Sequence, residues 1–255
     1  MTDNSEQISQ TYAATPSTPS TPSTSSEATS EAGEDTFTGR LIEITAGAVT
    51  LPALFHMPTN PHGLVVLTHG IEGITDGTHA STLAIASQLH QASLATLVVD
   101  LFSTGEEQLD AGTDYFKSNT SIMEQRIIGI SEWTQDNAET SNLSLGYFGA
   151  GAAGAAVLIA AAERPDVVKA VVAVGARLDL AEDAPRRILA PTMLITAQQD
   201  TNAVQQNQQI MESMTQTKRF EQIAGGNTLF SSQESITRIA QLAGEWFAQH
   251  LEPIV

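Results

Sequence analysis

The stretch that most constrains this chain runs from Leu143 to Gly154, Leu-Ser-Leu-Gly-Tyr-Phe-Gly-Ala-Gly-Ala-Ala-Gly. It reads as an apolar strand, a run of tiny residues, and the start of an alanine-rich helix. A strand that turns into a helix through residues this small brings the two backbones into close contact. Only a layered α/β architecture makes regular use of such a corner.

The rest of the chain fits that architecture. Phe37–Ile44 and Val49–His56 read as a hairpin around 45–48, and Gly63–Thr68 as a short, continuously apolar strand of the kind covered on both faces. Ser81–Gln91 carries Leu83, Ile85, Ala86 and Leu89 at helical spacing, and Leu94–Asp100 is the next strand. Leu101–Asn119 is expected to be a long loop, and Ser121–Gln135 a helix. The helix Ala152–Ala162, the strands Val167–Val174, Ala190–Ala197 and Lys218–Ile223, and the helices Val204–Met214 and Glu234–His250 complete the order. The expected fold class is therefore α/β, a mostly parallel twisted sheet with helices on both faces. Ligands of such sheets bind at the carboxyl ends of the strands, here His69-Gly70, Asp100, Gly151, Asp200 and Asn227-Thr228.

Two regions are expected: residues 1–35 as a disordered, acidic, Thr/Pro/Ser-rich tail, and residues 36–255 as one domain. Thr15–Thr24 repeats T-P-S with almost nothing apolar to offset the entropy of ordering, which favours a solubilising spacer over a docking segment. The net charge of −18 argues against nucleic acid and anionic membranes as partners. Without cysteine, disulfides, thiolate metal sites and a cysteine nucleophile are excluded. No apolar run is long enough to span a bilayer and Met1–Gln10 lacks the features of a signal peptide, so a cytoplasmic protein is expected.

Leu-Thr-His-Gly at 67–70, Gly-Tyr-Phe-Gly-Ala at 146–150, Ala-Ala-Ala-Glu-Arg-Pro-Asp at 160–166, Ala-Pro-Thr-Met-Leu-Ile at 190–195 and Gly-Gly-Asn-Thr-Leu-Phe at 225–230 occur in this order. Together they resemble the α/β-hydrolase superfamily, and within it the dienelactone-hydrolase-like proteins, from about Gly63 to Leu251. The resemblance implies a nucleophile elbow, G-x-S-x-G, and a Ser, Asp, His triad in that chain order. In it the serine attacks a carbonyl, the histidine takes its proton, and the aspartate orients the imidazole. Carried over position by position, the serine falls on Gly151, the acid on Asp200 and the histidine on Thr228. Only Asp200 matches. Ala150 and Ala152 flank Gly151, so a one-residue shift restores no nucleophile. The backbone N–H groups of an oxyanion hole map to Ala152 and to Gly70 or Ile71, and these survive any side-chain change.

Other residues have blander readings. Asp200 serves equally as an N-cap for the helix that follows. Gly149, Gly151 and Gly154 lack the company of a phosphate loop and fit close strand–helix packing. Glu72, Asp76 and His79 share one loop without a second ligand cluster, so no metal site and no cofactor are expected. Three functions remain open: a hydrolase relative without catalysis, holding a small carboxyl or carbonyl ligand or a protein partner; an ester or lactone hydrolase with a rearranged site; and an interaction module tethered by its tail.

Overall fold

The computed structural model describes residues 27–29, 38–69, 78–110, 113, 115–116, 119–224 and 229–252. Nine strands form one sheet among them: β1 (Glu27–Thr29), β2 (Thr38–Ala46), β3 (Val49–His56), β4 (Leu64–His69), β5 (Ala95–Asp100), β6 (Leu145–Ala150), β7 (Val168–Val174), β8 (Thr192–Ala197) and β9 (Lys218–Ile223). Their order across the sheet is β1-β2-β3-β5-β4-β6-β7-β8-β9. From β5 to β9 every neighbouring pair is parallel, while β1, β2 and β3 form an antiparallel wing.

The helices are α1 (Thr78–Gln91), α2 (Thr104–Asp110), α3 (Thr120–Asp136), α4 (Gly151–Glu163), α5 (Ala184–Arg187), α6 (Thr201–Ser213) and α7 (Gln233–His250), with a 3₁₀ turn at Leu178–Leu180. Side chains of α3 and α4 pack on one face of the sheet with Val66, Leu97, Tyr147 and Val171. Those of α1 and α7 pack on the other, against Val65, Leu67, Phe148 and Val172. Successive residues of β4 and β6 thus feed alternate layers. This explains why both strands are buried at every position, β4 reading as an apolar run from Leu64 to Leu67 before Thr68 and His69. The sheet covered on both faces is the fold the sequence predicts.

Three details differ from expectation. Glu27–Thr29, within the stretch expected to be disordered, pairs antiparallel with Thr38–Arg40 at the outer edge of β2, which otherwise offers unsatisfied backbone groups. The expected loop 101–119 contains α2, and α5 and the 3₁₀ turn went unread between β7 and β8. α2 exists because Ser103 and Glu106 close a capping box: Ser103 N–H donates to Glu106 Oε2 at 2.9 Å, and Glu106 N–H to Ser103 Oγ at 3.3 Å. The hairpin turn is tighter than expected, only Gly47 and Ala48 between the paired Ala46 and Val49, with Gly47 at φ +63°.

Candidate functional site

The chain leaves β4 for β5 on one side and enters β7 from β6 on the other, although β4 and β6 are hydrogen-bonded neighbours. Their following helices, α1 and α4, lie on opposite faces. The carboxyl ends of β4 and β6 are therefore a topological switch point, and sheets of this kind bind ligands in the crevice beyond such a point. His69 ends one strand, and Gly151 follows directly on the other.

The β6–α4 corner has the geometry of a nucleophile elbow. Ala150 is extended (φ −123°, ψ 149°), Gly151 has φ +57°, and α4 begins at once. A positive φ at the crest is the strained conformation that glycine adopts without a Cβ clash. The neighbouring glycines serve contact. A Cβ on Gly149 would lie 2.7 Å from the Ala153 carbonyl oxygen, and one on Gly154 3.0 Å from the Ala176 Cβ. The corner is also tied to the next loop, where Arg177 N–H donates to the Gly151 carbonyl at 3.0 Å. Ala150 supplies no side-chain cap. The first-turn N–H groups of α4, Ala152 among them, have no acceptor within the helix and carry its positive end toward the crevice.

Asp200 lies in the turn after β8, exposed, with Oδ1 accepting the Ala203 N–H at 2.9 Å as the N-cap of α6. The contact it makes is the capping contact. Gly70, Ile71 and Thr228 lie outside the described residues, as do Glu72, Asp76 and Asn227. His79 is placed only as backbone in α1. Among the described residues, no group of three or more His, Asp or Glu side chains is arranged to hold a metal ion. Likewise, no helix among them is long and apolar enough to cross a membrane.

Two side chains that could stand in for a triad member, Ser144 and His250, are placed elsewhere. Ser144 precedes β6 at the sheet's opposite edge, buried, with its hydroxyl donating to the Glu252 carbonyl. His250 closes α7 edge-to-face with Trp246 at 4.3 Å, and burial holds its imidazole below the usual range.

Two features of the crevice were not read from the sequence. His69 Nε2 lies 3.0 Å from Asp100 Oδ1, across the pairing of β4 with β5, and His69 is only 2% exposed. Beside this pair α2 stands on the end of β5. Arg126 of α3 grips Glu106 with both terminal nitrogens, one at 2.9 Å, donates to the Leu101 carbonyl, and lies 5.0 Å over the Phe102 ring. Hydrogen bonds from Arg126, with those of Ser103, hold the Glu106 carboxyl down to about 2. Glu107 is pushed upward, by burial first and then by the charge of Asp100. The Ser-x-x-Glu spacing at 103–106 was the available signal for α2. Nothing local marks the His69–Asp100 pair, which depends on strand order.

A switch-point crevice, an elbow with a positive-φ crest and helices on both faces define the α/β-hydrolase fold. The sequence profile of the dienelactone hydrolase family matches residues 51–224, and the chain belongs to that family. A dienelactone hydrolase structure from Anabaena variabilis is 34% identical, covers 83% of this chain and 97% of its own, and superposes with a TM-score of 0.77. A dienelactone hydrolase-like promiscuous phosphotriesterase from metagenomic libraries shares the fold at 13% identity (TM-score 0.68, 84% of this chain and 98% of that one). Proteins of two Mycobacterium tuberculosis strains, carrying a provisional phosphoribosyl transferase name, are 30% identical over 82% of this chain. The chain spans about half the length of these curated relatives, 46%.

Proposed function

We propose that this member of the dienelactone hydrolase family has given up covalent hydrolysis and keeps its crevice to hold a small ligand by a carboxyl or carbonyl group. The observation that carries this reading is Gly151. The residue at the crest of the elbow has no side chain, and its φ of +57° is the conformation in which a nucleophile would be presented. Ala150 and Ala152 offer no substitute. Ser144 is engaged at the other edge of the sheet. At the position of the base, Thr228 has no nitrogen to accept a proton. Backbone donors at the start of α4 are independent of side-chain identity, which supports continued recognition of a carbonyl oxygen or carboxylate. The phosphoribosyl transferase name belongs to proteins about twice as long and is not carried over.

The unmodified protein, treated with a fluorophosphonate probe and separately with a p-nitrophenyl ester, is expected to show no covalent adduct and no burst. A stoichiometric adduct, or turnover well above the ~10³–10⁴-fold over water left by an oxyanion hole and binding alone, overturns the reading. The double substitution Gly151→Ser with Thr228→His asks whether the frame is still poised. Gain of labelling in that variant, with none in the parent, supports it.

A further inference from the structure

The two ends of the sheet are finished differently. At one end β1 covers β2 over only three residues, Glu27–Thr29. At the other, β9 is six residues long, and among the described residues no strand pairs with its outer side. Its register with β8 runs unbroken from Lys218 to Ile223, with neither a proline nor a bulge to turn the edge away. A lysine on an edge strand ordinarily holds other strands off. Lys218 instead folds its ammonium back onto the end of α6, donating to the carbonyls of Met211 and, at 2.7 Å, Met214.

The bonds to β8 fix which peptide groups face outward. Thr192 N–H donates to the Thr217 carbonyl and Gln198 N–H to the Ile223 carbonyl, each at 2.9 Å. Peptide groups alternate in direction along a strand, so Thr217, Arg219, Glu221 and Ile223 address β8. Lys218, Phe220 and Gln222 turn their N–H and C=O groups outward.

A second copy of this chain, run antiparallel about a twofold axis at Phe220, matches that pattern. Phe220, itself half-buried, meets the partner's Phe220 as a hydrogen-bonded pair, and Lys218 meets the partner's Gln222. The same register sets Arg219 opposite the partner's Glu221, twice, in the closely spaced pairs with Cα atoms ~4.5 Å apart. Within one chain Arg219 Nε already lies 2.7 Å from Glu221 Oε1. The four side chains thus alternate in sign, along each strand and across the axis. Sliding one copy by two residues either way sets Arg219 against the partner's Arg219, or Glu221 against the partner's Glu221. A slide of one residue faces outward peptide groups with inward ones.

We infer that β9 is a self-association edge, which joins two copies of this chain into one continuous sheet by antiparallel pairing about Phe220. The partner is a second copy because Arg-Phe-Glu at 219–221 is its own complement when reversed. β9 lies three strands from β6, so the inference stands apart from the reading of Gly151.

Sedimentation equilibrium of the full-length protein, in ~0.15 M salt to screen its net charge of −18, is expected to show monomers and dimers in exchange. Amide exchange at Phe220 and Gln222 should slow as concentration rises. Glu221→Arg and Arg219→Glu each set like charges across the axis twice, and each should weaken the dimer roughly tenfold or more. Mixing the two variants restores opposite charges on both sides, so the mixture should dimerise as the parent does. A pair acting only within one chain is not repaired by mixing. Gln222→Pro removes an outward N–H without touching the β8 ladder, and should weaken the dimer with the circular dichroism spectrum unchanged. A monomer even at millimolar concentration overturns the inference. So does a dimer that survives both charge variants, or exchange at Phe220 and Gln222 that ignores concentration.

Discussion

Arg126 and Glu106 meet fork to fork, 20 residues apart in sequence, and the same carboxylate closes the capping box of α2. One carboxylate thus joins α3 to the cap over β5. Its neighbours were arranged around a permanent charge.

Arg126→Ala should destabilise the protein by about 2–3 kcal/mol. Breaking a buried pair costs ~3–5 kcal/mol, and the 22% exposure of the Glu106 side chain lowers that figure. A drop in the urea midpoint at unchanged slope checks it. Faster amide exchange confined to 101–116 would place the loosening in the cap.

Acid should weaken the fold in two separable stages. Burial, and then the neighbouring His56 ring stacked at 3.6 Å, hold His90 down to about 3 from 6.5, so the unfolded chain protonates first. Stability linked to His90 is complete above pH 6.5 and lost as pH falls from there toward 3. Glu106 behaves likewise from 4.5 toward 2. Thermal midpoints recorded across this range should lose the upper stage in His90→Phe and the lower in Glu106→Gln. An unchanged profile in both variants would count against these assignments.

The two elbow glycines should respond unequally to alanine. At Gly151 the cost is the left-handed backbone, about 1–2 kcal/mol. At Gly149 the added methyl meets a backbone oxygen at 2.7 Å and Val157 Cγ2 at 2.9 Å, and α4 must shift. Equilibrium denaturation is expected to rank Gly149→Ala as the more damaging, despite its ordinary backbone.

Asp200→Ala should cost about 1 kcal/mol through loss of the α6 cap, while Asp200→Asn, another good cap, should cost little. Neither change is expected to alter reaction with an ester. If Asn proved as damaging as Ala, a role for the charge beyond capping would be indicated.

How much of this was legible depended on whether each signal was local. Val65 and Val66 face opposite layers, so the run Leu64–Leu67 had to be apolar on both sides and could be read directly. Gly151 was legible because the strand, the tiny residues and the alanine helix adjoin in sequence. α2 was missed because Thr-Gly-Glu-Glu-Gln-Leu-Asp has no apolar period, and its brace comes from Arg126 in another helix. The His69–Asp100 contact needed the order β5-β4-β6, which no spacing along the chain encodes. Asp200 allowed two readings because a relic acid and a helix cap call for the same residue type.

At Gly151 the bend is held in relaxed form, since glycine takes the left-handed backbone without a Cβ clash. Enzymes commonly trade stability for a strained reactive residue, and a glycine at such a corner carries none of that strain. Any side chain introduced there must first overcome a conformational penalty, so substitution at this one position runs uphill whatever chemistry it brings.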